Sequence, residues 1–425
     1  MSSHTTVTII GAGQAGLAMS RCLTDRGIDH VVLERGRIAE RWQSERWDSL
    51  KLLTPNWMSR LPGQAYDGPN PEGFMTMPEI TRYLTDYAAS FNAPVQDETT
   101  VFRARRTEIG PGTRPGYVLD TNQGVVNSRG LVIATGASAT PAIPEIAGAV
   151  PAHVHQTTPK HYKHPGGLPE GRVLVVGASA SGVQLAREIN ASGRPVTLAV
   201  GSHTRMPRTY RGFDIQLWLD MMGTLERSYD TIDDIAVARR APSLQLVGGD
   251  HGETLDLNTL RSEGVELAGR LNGVADGRIT FADDLAQTCR EGDDALLRML
   301  VRMDRWAVLH GIDRSIDPPS RPDRIDTRNA VPSVDVGASG ISTILWATGY
   351  RPDNSYLDMD VVTASGEIAH DGGVVTGAPG MYLMGLPLLR TRKSTYIDGV
   401  GADADALSNH LTASLARPAL SAAAA

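Results

Sequence analysis

The sequence predicts an α/β protein of two Rossmann-like three-layer domains, the second inserted into the first. Three observations predict it. A β-branched run, "VTII" at 7–10, enters the glycine turn "GAGQAG", and a run with helical spacing follows. The same design returns at 172–189 as "RVLVV", "GASASG" and "VQLAREI". Two "ATG" turns, at 134–136 and 347–349, each end an apolar strand and bracket the second copy. Two copies of one supersecondary unit in 425 residues imply two domains. The expected division is 1–150 for the first part of domain one, 151–340 for the inserted domain with a helical insertion, and 341–425 for the return to domain one.

Taken in order, the first helix stops at Gly27, and "HVVLE" at 30–34 supplies the second strand of a βαβ unit. Residues 41–78 hold three tryptophans and five prolines without clear periodicity, a length of irregular chain that is more often functional than idle. "EITRYLTDYAASF" has helical spacing, with Ile80, Leu84, Tyr87 and Phe91 on one face. Short β-rich runs follow around Val101, 117–119 and 125–126, then the strand "LVIATG". The proline- and histidine-rich stretch 137–171 reads as a crossing linker, and 213–280 is mixed. Residues 283–310 predict a long amphipathic helix with Leu296, Leu300, Met303 and Leu309 on one face. "MYLMGLP" and the glycine-punctuated "IDGVGADADALSNHL" read as a strand, a turn and a final helix, and the "SAAAA" end is expected to fray.

Composition narrows the function. With 48 acidic and 41 basic side chains and no basic block, nucleic acid is not an expected partner. Cys22 and Cys289 match neither a metal clip nor a redox pair. His153, His155, His161 and His164 lie close in sequence, but no carboxylate or cysteine cluster joins them, so no metal is expected. No apolar run nears the ~18 residues of a membrane span. The expected location is the cytoplasm.

Gly11, Gly13 and Gly16 form G-x-G-x-x-G between a strand and a helix. The first glycine permits the tight turn, the second lets a pyrophosphate approach, and the third lets helix pack on strand. Glu34, 18 residues beyond Gly16, ends the second strand where a carboxylate accepts hydrogen bonds from a ribose. Gly177, Ser179 and Gly182 make the second copy. After its second strand no acid occurs until Asp214, while Arg205, Arg208 and Arg211 are in reach. Arginine there suits a 2′-phosphate, so NADPH is the expected ligand of the second site. Two dinucleotide sites in one chain fit a hydride relay, with FAD in the first.

These segments, with "RWQSERWDSLKLLTPNWMSRLPG", "FMTMPEITRYL", "ATGYRPD" and "IDGVGADA", resemble the flavin-containing monooxygenase-like, class B flavoprotein monooxygenases over nearly the whole chain. The resemblance implies a discontinuous FAD domain with the NADPH domain inserted and the "ATG" turns as crossings. It also implies that Arg41, Trp42, Trp47, Val101, Thr135 and Gly136 lie along the FAD, that Asp398 and Gly399 approach the flavin ring, and that Asn56 is an active-site asparagine. The family's linker fingerprint is relaxed: Gly148 and His155 match, but the aromatic is Tyr162, with proline at 159. The implied activity is NADPH-consuming N- or S-oxygenation of a small organic substrate by dioxygen through a flavin C4a-hydroperoxide, with a homodimer as one assembly the chain could form. Baeyer-Villiger oxygenation, a flavin reductase or oxidase, and a non-catalytic flavin-binding sensor stay open as alternatives.

Overall fold

The computed structural model describes residues 2–107, 116–249, 252–337 and 340–416. The "SAAAA" end lies outside them. Strand β1 (Ser2–Ile10) leads through the glycine turn into helix α1 (Gln14–Asp25) and strand β2 (His30–Leu33). Helix α2 (Met77–Ser90) opens with a capping box, in which Thr76 and Glu79 satisfy each other's backbone donors. Strands β3 (Val95–Gln96), β4 (Val101–Arg106), β5 (Tyr117–Thr121) and β6 (Gly124–Ile133) follow. β6 is long enough to serve two partners along one edge. Its first half pairs antiparallel with β5, and its second half runs parallel to Met381–Leu383 near the C-terminus. Residues 250 positions apart thus lie in one sheet, and the first domain is discontinuous.

The inserted domain is built on a five-stranded, all-parallel sheet. Its strands are β7 (His155–Thr157), β8 (Arg172–Val176), β9 (Val196–Ala199), β10 (Glu266–Ala268) and β11 (Ile341–Trp346), in the order β7-β11-β8-β9-β10. Helix α3 (Ala180–Ala191) joins β8 to β9. Along β8, Val173 and Val175 pack into the core that reaches the first domain, while Leu174 and Val176 pack into a separate cluster on the other face. Both faces are covered, as a parallel sheet requires. Between β9 and β10 lies helix α4 (Ile215–Met221), and helix α5 (Leu285–Leu309) precedes β11. Leu296, Leu300, Met303 and Ala307 form its buried stripe, whereas Leu309 is 81% exposed. The register of the apolar face therefore ends at Ala307, two residues before the expected last member.

Sheet membership moves one boundary. Residues 341–346, expected in the returning part of domain one, are the central neighbour of β8 in the inserted sheet. The return falls after Gly349. There Tyr350–Arg351 pairs antiparallel with Thr140–Pro141, so the two crossings run side by side as one ribbon. Helix α6 (Val400–Ala416) closes the first domain by packing on α1. Among the described residues no helix is long and apolar enough to cross a membrane.

Candidate functional site

Both glycine turns have the geometry their spacing predicts. At Gly11 φ is +106°, and a Cβ there would meet Ala134 O at 2.7 Å. A Cβ on Gly16 would meet Gly11 O at 1.9 Å, so only glycine lets α1 sit this close to its turn. Gly13 differs: nothing lies within 4 Å of its missing Cβ. It lines a cavity of about 1360 Å³, which begins at the N-terminus of α1 and runs between the domains. The free N–H groups of that terminus face an open space, as an anionic pyrophosphate needs.

Glu34, at 9% exposure, accepts from Ala12 N (2.8 Å) and Gly36 N (3.1 Å). These bonds hold its carboxylate at the cavity wall with lone pairs left for a ribose. Arg41, Trp42, Val101, Thr135 and Gly136 also line the cavity. Burial pushes the Arg41 guanidinium below its ordinary range, and Glu45 beside it opposes that shift. Trp42 Nε1 donates to Gln14 Oε1 (3.3 Å), and Arg46 stacks 5.5 Å over the Trp42 ring. Arg46 lines the cavity too, and its place in an irregular segment hid it from the sequence analysis.

Four expectations near the first site need correction. Trp47 is 5% exposed inside the core and off the cavity wall, because its ring fills space among buried neighbours. Asn56 is also off the wall. Its Oδ1 accepts from Met75 N and its Nδ2 donates to Asn70 O, so both ends of the amide are spent pinning the 70–75 loop. Asp398 accepts from Arg60 (2.5 Å) and Lys393 (3.0 Å), and Lys393 also pairs with Glu226 of the inserted domain. Gly399 packs on Lys393 O, which a Cβ would approach to 1.7 Å. The cavity is reached instead by the three residues just before them, Thr395, Tyr396 and Ile397.

The second turn repeats the first. Gly177 has φ +107° with Ala347 O at 2.5 Å from a built Cβ, and Gly182 would meet Gly177 O at 1.8 Å. Ser179 is the N-cap of α3. Yet none of Gly177, Ser179 and Gly182 lines the cavity. Segment 242–246 crosses this turn: Ala180 N donates to Ser243 Oγ (3.4 Å), Gln245 Nε2 to Ala178 O (2.7 Å) and Gln184 Nε2 to Leu246 O (3.1 Å).

The arginine expectation also changes. Arg205, 4% exposed, pairs with Asp256 (2.6 Å) and Asp293 (2.7 Å). Arg208 pairs with Asp214 and donates to Leu53 O, and Arg211 pairs with Asp304 and Asp313. These charges are buried, and a buried arginine stays only where carboxylates meet it. Arg270, more than half exposed, is held loosely, its Nε 3.8 Å from Asp284 Oδ2. It donates to Ser202 Oγ (3.3 Å) on the turn after β9, where a 2′-phosphate reader belongs. Cys22 and Cys289 are buried free thiols, and burial pushes them up to about 11 and about 12. Neither is a ready thiolate. Tyr162, the relaxed aromatic of the linker, is buried and donates to Glu188 Oε1 (2.7 Å), tying the linker to α3.

Comparison with known proteins places the chain in a family and a fold. The family model described as pyridine nucleotide-disulphide oxidoreductase matches residues 8–236. An uncharacterized oxidoreductase of Geobacillus kaustophilus, CzcO-like, is 30% identical over 410 residues, covering 95% of this chain and 97% of that protein. Indole-3-pyruvate monooxygenase YUCCA6 of Arabidopsis thaliana is 34% identical over 206 residues, 45% of this chain and 46% of that protein. The solved flavin-containing monooxygenase from Stenotrophomonas maltophilia has the same fold, with TM-score 0.66 at 19% identity over 97% of this chain and 100% of that one. With an open cradle in one domain and a matching glycine turn in the other, the chain belongs to the pyridine nucleotide-disulphide oxidoreductase family.

Proposed function

We propose that the chain is a cytoplasmic, FAD-dependent, NADPH-consuming monooxygenase that transfers oxygen to nitrogen or sulfur of a small organic substrate. One observation carries this reading: the open first cradle leads without a break into an apolar chamber of the inserted domain, so a cofactor and a substrate can share one cavity. Its volume, about 1360 Å³, exceeds the several hundred Å³ of a usual single-ligand pocket.

Bound FAD supplies hydride acceptance and the activation of dioxygen. The chain's residues do the rest. The α1 N-terminus, bared at Gly13, holds the pyrophosphate, and Glu34 accepts from the ribose. Arg41, Trp42 and Arg46 wall the groove on one side, with Thr395–Ile397 on another. The apolar lining beyond Tyr396 keeps water away from the reacting atoms, which suits an oxygen transfer that needs no acid–base triad. NADPH approaching α3 displaces Ser243 Oγ from Ala180 N, so its entry is coupled to opening of segment 242–246. Arg270 and Ser202 meet its 2′-phosphate.

The test is the flavin spectrum of the purified chain, followed by oxygen uptake with NADPH and a panel of amines and sulfides. Yellow protein whose oxygen uptake is matched by oxygenated product supports the reading. Colourless protein that takes up no FAD on reconstitution sinks it, and stoichiometric hydrogen peroxide with every substrate points to an oxidase instead.

A further inference from the structure

Beyond Tyr396 the cavity opens between α4 and α5, where Met206, Leu219, Met222, Leu225, Leu246 and Met299 line it. These side chains belong to an apolar cluster distinct from the core that spans the two sheets. Three of the six are methionines, whose unbranched thioethers adapt to the shape of a ligand.

One polar side chain breaks the apolar wall. Gln216, in the first turn of α4, lines the cavity at 1% exposure. Its backbone N–H donates to Asp214 Oδ1 (2.7 Å), and its side chain lies beside the Tyr396 hydroxyl. Its Oε1 has no hydrogen-bond partner. A buried carbonyl oxygen left unpaired is costly, and a ligand bearing a donor would satisfy it. Tyr396 stands at the junction with the cofactor groove. Its neighbour Thr395 accepts through its carbonyl from Gln14 Nε2 (3.4 Å), on the first residue of α1. Arg239 and Arg302 also line the cavity and disfavour a cationic occupant.

We propose that this chamber is the substrate subsite, and that it takes a mostly apolar, non-cationic molecule with one N–H or O–H donor, accepted by Gln216 Oε1. The inference rests on the monooxygenase reading for its consequence, but the binding itself can be measured apart from it. The probes are 2-(1-naphthyl)ethanol and its methyl ether, titrated into the full-length protein as purified and followed by naphthalene fluorescence. The alcohol is expected to bind about three- to tenfold more tightly than the ether, the worth of one ordinary hydrogen bond. Gln216→Leu erases that difference. Met299→Trp and, as an independent filling of the chamber, Met222→Trp each weaken both probes at least about tenfold, with flavin content unchanged.

Equal binding of alcohol and ether, persistence of their difference in Gln216→Leu, or indifference of both probes to the two tryptophan variants would overturn the proposal. Flavin content and NADPH-driven oxygen uptake, read on the same samples, separate the two claims. A colourless protein that discriminates the probes removes the monooxygenase reading and keeps the chamber. A yellow, oxygen-consuming protein that does not discriminate them removes the chamber alone.

Discussion

The two glycine cradles have nearly the same backbone and opposite surroundings. Their helix-capping residues, Gly13 at φ −84°, ψ −175° and Ser179 at φ −81°, ψ −173°, are almost superimposable in dihedral space. Each third glycine packs on the carbonyl of its first, and each first glycine packs on the alanine of an "ATG" turn. The first cradle opens on the cavity, while the second lies under Ser243 and Gln245. Identical local geometry therefore does not make an equally accessible site. An open cradle suits a cofactor that stays, and a covered one suits a ligand that comes and goes.

The comparison breaks hardest at the glycines. Gly16→Ala or Gly182→Ala drives a methyl into a backbone carbonyl, so each is expected to abolish soluble expression or cooperative unfolding of its domain. Gly13→Ala meets no atom, so it should leave the thermal midpoint nearly unchanged, with a stability effect within about 1 kcal/mol, and still weaken FAD retention. A Gly13→Ala protein that keeps full flavin occupancy would dissociate that cradle from the cofactor.

Next in size is the arginine contrast. Arg205→Ala strands Asp256 and Asp293 and is expected to cost about 3–5 kcal/mol in denaturant unfolding. Arg270→Ala should leave unfolding almost untouched and raise the KM for NADPH about tenfold with little change for NADH. The reverse pattern would return the phosphate to Arg205.

Asp403 tests the helix that supports the first cradle. It is buried on α6 near Ser394 and Arg390, its Oδ2 has no partner, and burial raises its carboxyl from the ordinary 3.8 to about 6. The native state thus holds this proton more tightly than the unfolded chain does. Stability falls as pH rises from about 4 to about 6, and the cost is fully present above that. Asp403→Asn should gain up to about 3 kcal/mol at pH 8 and nothing at pH 3.5, read by urea unfolding. The smallest effect concerns the cover. Gln245→Ala removes the bond to Ala178 O and, if opening precedes NADPH entry, lowers the KM for NADPH about three- to tenfold. An unchanged or higher KM would make the segment a fixed wall.

How much of this was legible in the sequence depended on the range of the interaction. The glycine spacing, Glu34 at the end of β2 and the helices at 77–90 and 285–309 follow from local sterics and periodicity, which neighbouring residues carry by themselves. Their positions came out nearly as read. Strand β10 and the partnership of β6 with Met381–Leu383 did not, because two or three residues of strand have no periodicity to detect and pairing is decided at a distance. The site residues divide in the same way. Arg205, Arg208 and Arg211 have the right type at the right spacing, but Asp256, Asp293, Asp214, Asp304 and Asp313 come from other segments and claim their charges.

Asn56 and Trp47 similarly have suitable chemistry and turned to loop and core. The covering of the second cradle depends on a segment some sixty residues beyond its turn, and the chamber depends on α4 and α5 meeting Tyr396 from the far end of the chain. The amino-acid sequence alone determined that two phosphate turns would form, since a glycine's freedom is a property of its own backbone. Which turn faces a cavity, and which arginines stay exposed, were decided by tertiary structure, because burial and ion pairing belong to residues that only folding brings together.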